Sequence, residues 1–406
     1  MSTLVAERPD VPAHLVRRWD LSKDPDAEIC PYRAAAKLHS GPPIFFNPGE
    51  DDPRAKGLGG SWVVTRYELQ REVLQNAEVF SSYLISGFSR LIGEEWPLVP
   101  LELDPPEHMA YRMLLNPLFA PAKINALEAG VRQSAVDLIE KVRADGGCEF
   151  MEAFGRPFPV GVFMRLMGLP LEEAPTFLEW EEGLLRGPTM EARASAARNI
   201  KEYLLQLIAK RRANPVDDLA SFVANSEIDG KPIPPIRALG ICYLLFVGGL
   251  DTVAATLGFT FRELAQRPEL QRQMRADPAI IPDAVEEFIR AFGVVTSCRY
   301  LTRDYELAGV KMRKGDIVTI PFGVASRDET EYRDPHVIDF KRENTRNISF
   351  AAGPHRCIGS HLARREFKIA LEEWMTRVPE FRIRPDTQPV VHSVGVWGVD
   401  DLRLAW

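Results

Sequence analysis

Pro234 and Pro235 open an apolar helical run that continues to about Gln266, just before Pro268. Proline is tolerated at the first helical position because its missing N–H would have no partner there. Roughly 30 residues at a 1.5 Å rise make a helix about 45 Å long, enough to cross a whole molecule. A helix that long and apolar on most sides has to be central. Its longest stretch without charge or proline, 238–250, is well short of the ~20 residues that span a bilayer. A protein core is therefore expected around it, and with 45% of the 406 residues hydrophobic there is enough apolar side chain to build one.

Helical periodicity dominates the remainder. Helices are expected near 67–75, 122–144, 159–167, 172–185, 190–212, 281–292 and 359–376, and short strands at 62–65, 305–307, 310–312 and 317–320. The segment 80–103, with its Ser, Gly, Pro and isolated aromatics, reads as a long irregular loop of the kind that forms lids or binding loops. The fold class is mainly α with a small β region. No Gly/Ser tract, repeat or acidic tail offers a place to cut, so residues 1–406 are expected to form one continuous domain.

Lys and Arg total 50 against 57 Asp and Glu, a net charge of −7. A chain of that balance lacks the concentrated basic face that nucleic acid requires. The five cysteines (Cys30, Cys148, Cys242, Cys298 and Cys357) are odd in number and contain no Cys-x-x-Cys pair, which excludes a disulfide framework and a zinc ribbon. That usage suits a reducing cytosol. The start, Met1 to Asp10, has no apolar signal core, so a cytoplasmic protein without a microsomal-type anchor is expected.

Three local patterns carry chemistry. Phe350-Ala351-Ala352-Gly353-Pro354-His355-Arg356-Cys357-Ile358-Gly359 stands directly before the last helix. A thiolate at a helix N-terminus is stabilised by the dipole and by backbone N–H groups. Gly353 permits a tight turn, Gly359 lets the backbone lie close to a flat ligand, and Phe350 can pack beneath that ligand beside the sulfur. A free cysteine taken alone is ordinarily a buried packing residue. Glu287 and Arg290, three apart, share a helix face; such a pair is usually a surface contact worth under ~1 kcal/mol. Gly248-Gly249-Leu250-Asp251-Thr252 interrupts the central helix, where each glycine costs about 1 kcal/mol relative to alanine. The ordinary account is a tolerated kink, with Thr252 bonding back to a carbonyl of the preceding turn. The functional account is a widened groove with room for dioxygen and a water.

With these residues in order, the chain resembles the cytochrome P450 family. Its signature Phe-x-x-Gly-x-x-x-Cys-x-Gly is matched at Phe350, Gly353, Cys357 and Gly359, with Ala351 as a departure at a peripheral turn position. The resemblance implies a P450 fold with the long helix lying over a haem b (iron protoporphyrin IX), and Cys357 as the thiolate ligand of its iron. It implies that Glu287, Arg290 and a later arginine, best matched by Arg342, form a buried structural group. It makes Asp251 a relay of protons from solvent and Thr252 a hydrogen-bonding partner of the oxygen being activated, with donation from the thiolate favouring O–O cleavage. His108, Arg112, Arg299 and His355 match the ligands of the haem carboxylates, which need partners in an apolar interior. Ser297 stands where some close relatives have an acid.

The likeness is nearest to the bacterial, ferredoxin-dependent camphor-hydroxylase group, through Asp104-Pro105-Pro106-Glu107, Val247 to Val253 and His361 to Glu366. Pocket walls are expected from Trp96, Leu98, Leu244 and Val247, and from Val295, Gly395 and Val396. Their apolar character suits a compact hydrophobic substrate of monoterpenoid size, camphor- or cineole-like. Trp96 replaces the group's tyrosine, and its indole N–H is expected to orient a ketone or ether oxygen. His361, Arg364, Arg365 and Lys368, with Arg112, are expected to form a basic patch for a small acidic [2Fe–2S] ferredoxin reduced by an NADH-dependent flavoprotein. The expected activity is hydroxylation of an unactivated C–H bond by a monomeric enzyme. The rivals are a peroxide-driven peroxygenase, whose members typically lose the acid–Thr pair kept here, and a non-catalytic haem sensor or carrier, which has no use for the kink. A cysteine hydrolase lacks a convincing His and orienting carboxylate around Cys357.

Overall fold

The computed structural model describes residues 8–49 and 58–406. The start of the chain as far as Glu7, which bears on the signal-core reading, lies outside the described residues. The fold is mainly α with small sheets, as expected. It divides into two compact units, each built from separated stretches of chain: Met1–Ile85, Pro282–Cys357 and Pro389–Asp400 in the first, and Ser86–Ile281, Ile358–Gln388 and Asp401–Trp406 in the second.

The first unit is organised by a five-stranded sheet in the order Ile44–Pro48, Gly60–Val64, Ile317–Pro321, Thr296–Leu301 and Phe80–Ser81. Only the Gly60–Val64 and Ile317–Pro321 pair is parallel; Val318 lies opposite Trp62 on one side and Arg299 on the other. Phe46, Trp62, Val64, Val318 and Ile320 form its core. The Ile44–Pro48 strand escapes sequence reading because Ile44, Phe45 and Phe46 are all buried, giving a short apolar run with no alternation. The Ile281–Ala291 helix and the short pairs Tyr305–Leu307 and Val310–Met312 fall where expected.

The second unit is helical, with a three-stranded sheet of Arg382–Ile383, Arg403–Ala405 and Gly147–Glu149. Pro121, Pro157, Pro235 and Pro268 each open a helix, and Thr189 and Asp218 cap two others through Ala192 N–H and Ser221 N–H. The central helix runs Pro235–Gly249 and resumes as Asp251–Gln266, broken at Leu250. It packs on the Met190–Ala213 and Pro157–Met167 helices. By length and composition the whole run 235–266 could cross a membrane, which 238–250 alone could not. Two thirds of its most apolar window (67%) is buried by protein, as for a core helix.

A Cβ at Gly240 would lie 2.3 Å from Pro97 O, so the 97–99 backbone rests directly on this helix, with Val99 N–H donating to Gly240 O at 3.2 Å. The expected loop 80–103 does stay largely irregular, holding only the Phe80–Ser81 strand and a Ser89–Ile92 turn.

Candidate functional site

In the first unit the cysteine loop is shaped by two left-handed residues, Ala351 (φ +58°) and Gly353 (φ +69°). A side chain at Gly353 would meet Leu74 O at 2.5 Å and Gln75 Cα at 2.8 Å, so glycine alone lets the loop press on the end of the Tyr67–Gln75 helix. Cys357 N–H donates to Phe350 O at 2.8 Å, closing the loop, and Ser349 Oγ donates to Ile289 O at 2.7 Å. Cys357 is exposed, whereas Cys242 and Cys298 are buried and Cys30 and Cys148 half-buried. Burial pushes the thiols of Cys148 and Cys242 up to about 12, so both keep their protons.

The helix that carries Ile289 also carries Glu287 and Arg290, both fully buried. Arg290 grips Glu287 through Nε (2.7 Å) and a terminal nitrogen (2.9 Å), and donates to Ser326 O and Pro335 O. Arg342 Nε reaches both Glu287 oxygens at 3.0 Å, while its terminal nitrogens donate to the carbonyls of Arg333, Asp334 and Val337. The expected three-residue group is present with this geometry, and it pins the 333–342 segment to the helix. Arg299 is buried in its strand and donates to Ser297 Oγ (3.0 Å) and Cys298 O (2.6 Å), so Ser297 still engages it without a carboxylate. His355 is buried in the loop. Val295 and Val396 meet in an antiparallel bridge, next to Gly395 in the left-handed region.

In the second unit the middle of the central helix, buried at 238–243, becomes accessible at Leu244, Leu245 and 247–249. A Cβ on Gly249 would meet nothing within 4 Å, and one on Gly248 only Leu244 Cδ1 at 3.7 Å. Open space therefore borders the kink. Thr252 Oγ donates to Gly248 O at 2.8 Å, the back-bond of the ordinary account, and Thr256 and Thr260 repeat it one turn apart. Asp251 is buried and accepts from an Arg186 terminal nitrogen at 2.5 Å. Sequence reading missed Arg186: it lies 65 positions away, and a charge closing a helix gives no sign of a distant partner.

Glu181, five residues before Arg186 on the Ala174–Arg186 helix, is also buried. Burial first, and then the charge of Asp251, pushes its carboxyl up to about 8, against the opposing pull of Arg186 and Arg156. The folded protein thus holds this proton more tightly than the unfolded chain. Its stabilising share is whole below the ordinary carboxyl range and is lost as pH rises through about 8. Glu181→Gln is expected to match wild type near pH 5 but to exceed it at pH 9 by about 2 kcal/mol, local opening reducing the full 1.4 kcal/mol per unit. Urea denaturation at both pH values checks this; equal midpoints at pH 9 would refute it.

His108 is buried on the Glu107–Leu115 helix, with half-buried Arg112 one turn on. Burial, with Arg112 adding, pushes His108 down to about 4 despite Asp104. A carboxylate brought beside it would raise it again. The indole N–H of Trp96, expected to orient substrate, donates instead to Glu94 Oε2 at 2.7 Å, and Lys201 holds the other Glu94 oxygen.

The expected basic patch is partly neutralised. Arg365 is bound to Glu128 and to Asn125 Oδ1, Lys368 stands 3.5 Å from Glu372, and Arg364 donates to Ser360 O. Exposed Met109 and Met113 flank Arg112 on its helix, so this face is less basic and more apolar than expected.

Within the first unit, the exposed thiol of Cys357 and buried Arg299 and His355 are donors whose chemistry fits the iron and a carboxylate of a haem. The second unit, taken by itself, holds buried His108 and the open kink. The comparisons agree. A profile of the cytochrome P450 family matches residues 183–392. Probable cytochrome P450 127A1 of Sinorhizobium fredii is 40% identical over 98% of this chain and 96% of that protein. The chain belongs to the cytochrome P450 family. Linalool 8-monooxygenase of Pseudomonas putida is 29% identical to this P450 over 91% of the chain and 94% of that protein. Among solved structures, CYP101J2 superposes with a TM-score of 0.87 at 35% identity and CYP101C1 with 0.88 at 31%, each covering 98% of both chains. The protein is therefore a P450 monooxygenase that binds haem b and takes its electrons from a redox partner.

Proposed function

We propose that this P450 hydroxylates an unactivated C–H bond of a small hydrophobic substrate, a monoterpenoid of camphor or cineole size, with electrons from a [2Fe–2S] ferredoxin. The single observation that carries an oxygen-activating role is the buried Asp251 held by Arg186 beside the open kink. A peroxide-driven enzyme or a haem carrier would not need such a carboxylate. Linalool 8-monooxygenase among the relatives supports a terpenoid substrate, and the CYP101 structures support a place near the camphor-hydroxylase group.

Cys357 would ligate the iron, with Phe350 and Gly359 against the ring, and His108, Arg112, Arg299 and His355 would hold its carboxylates. When bound, the haem would supply the oxidant that turns a C–H bond into C–OH, with dioxygen, two electrons and two protons consumed and the second oxygen atom leaving as water. Asp251 carries protons inward from solvent, and Arg186 holds its carboxylate in position. The hydroxyl of Thr252, whose hydrogen rests on Gly248 O, offers lone pairs to the proton path. Leu98, Trp96, Leu244 and Val247 of the second unit, and Val295, Gly395 and Val396 of the first, would be the apolar residues that meet the substrate. Residues 1–406 act as one P450 domain, in the cytoplasm and as a monomer.

Turnover with NADH, ferredoxin and its reductase, compared with peroxide alone, tests the reading; peroxide-only turnover would overturn it. Arg112, His361 and Arg364 would dock the ferredoxin beside Met109 and Met113. Because Glu128 and Glu372 offset Arg365 and Lys368, salt should slow reduction only about 3-fold between 0.05 and 0.3 M. Stopped-flow reduction rates check this, and a rate indifferent to salt would remove the electrostatic docking.

A further inference from the structure

We propose that the hydroxyl of Tyr243 is the hydrogen-bond donor that orients substrate in this P450, which makes the preferred substrate an oxygenated one with a ketone or ether oxygen. This rests on the substrate reading above and narrows it.

Tyr243 stands on the Pro235–Gly249 helix, between Gly240, on which the 97–99 backbone rests, and Val247, four residues on and on the same face. Its ring meets the edge of Trp96 at 5.1 Å between centroids and tilts against Phe88 at 6.2 Å. The residue is wholly buried, and its hydroxyl has no hydrogen-bond partner among the described residues. Buried hydroxyls are ordinarily bonded, because one stripped of water and left alone is costly.

The donor packed against this ring is already engaged: the Trp96 N–H goes to Glu94. Leu244, Val247 and Leu98 have no polar atoms in their side chains. An acceptor oxygen on a bound hydrophobic molecule would satisfy Tyr243, whereas a pure hydrocarbon would leave it unmet. A site built to meet a polar group discriminates more strongly than one sorting by size.

The test uses the haem-loaded enzyme and matched pairs of cyclic terpenoids, each ketone or cyclic ether beside its parent hydrocarbon, titrated by the spin-state shift of the iron. Tyr243→Phe is expected to weaken binding of the oxygenated member about 3- to 10-fold and to leave the hydrocarbon within about twofold. Trp96→Phe is expected to alter both members alike. Equal effects of Tyr243→Phe on the two members would overturn this assignment while leaving the terpenoid reading intact. No spin shift with any member of the panel would overturn the terpenoid reading and this inference with it.

Discussion

Cys357→His is expected to abolish the far-red-shifted Soret band of the reduced carbon monoxide complex and to cut turnover at least ~1000-fold, about 4 kcal/mol in the barrier. The shifted band reports a thiolate on the iron, and only the thiolate donates enough electron density to favour O–O cleavage. Histidine can still ligate iron, so haem should remain bound while the spectrum and the chemistry change, which separates loss of ligand type from loss of cofactor. Cys242 and Cys298 are buried, and burial holds the Cys148 and Cys242 thiols in their protonated form. Persistence of the shifted band in the variant would sink the assignment of the sulfur ligand and most of the site built around it.

The second large effect is expected from Glu287→Gln, which keeps the side chain's shape and removes its charge. Arg290 is fully buried and Arg342 nearly so, and Glu287 is the carboxylate that both of them grip. With glutamine in place, two buried guanidinium groups lose their counter-charge, and the new amide N–H points at donors. Breaking a buried pair from one side costs about 3–5 kcal/mol, because the remaining charge stays desolvated. The unfolding free energy should fall by that amount, seen as a lower urea midpoint at unchanged slope. Haem retention should fall with it, since the same helix fastens the cysteine loop through Ser349 and Ile289 O. A variant as stable as wild type would show that this group is not a structural lock.

Much of the protein was legible in the order of its residues. The central helix announced itself through its length and its bounding prolines, and the break at Leu250 fell within the glycine pair and Asp-Thr that predicted it. The Glu287–Arg290–Arg342 group was legible as a spacing plus a third arginine, although spacing alone could not say that it is buried. Strand Ile44–Pro48 was not legible, because a run buried on both faces has no period. The partners of Trp96 and Asp251 were not legible either. Glu94 is a near neighbour that a surface loop would leave in water, and Arg186 is brought in only by the packing of another helix.

By itself, then, the sequence determined the ligand-bearing loop, the kinked central helix and the family. Those depend on local backbone demands: a left-handed glycine pressed on a neighbouring helix end, a thiol just before a helix, and glycines that break a helical run. Which polar groups are already spoken for was decided by tertiary structure alone. Packing gave the N–H of Trp96 to Glu94 and the carboxylate of Asp251 to Arg186, and it sealed the hydroxyl of Tyr243 away from water. Hydrogen bonds between distant residues exist only once the chain has closed around them, and no spacing along the chain encodes which donor will be left over.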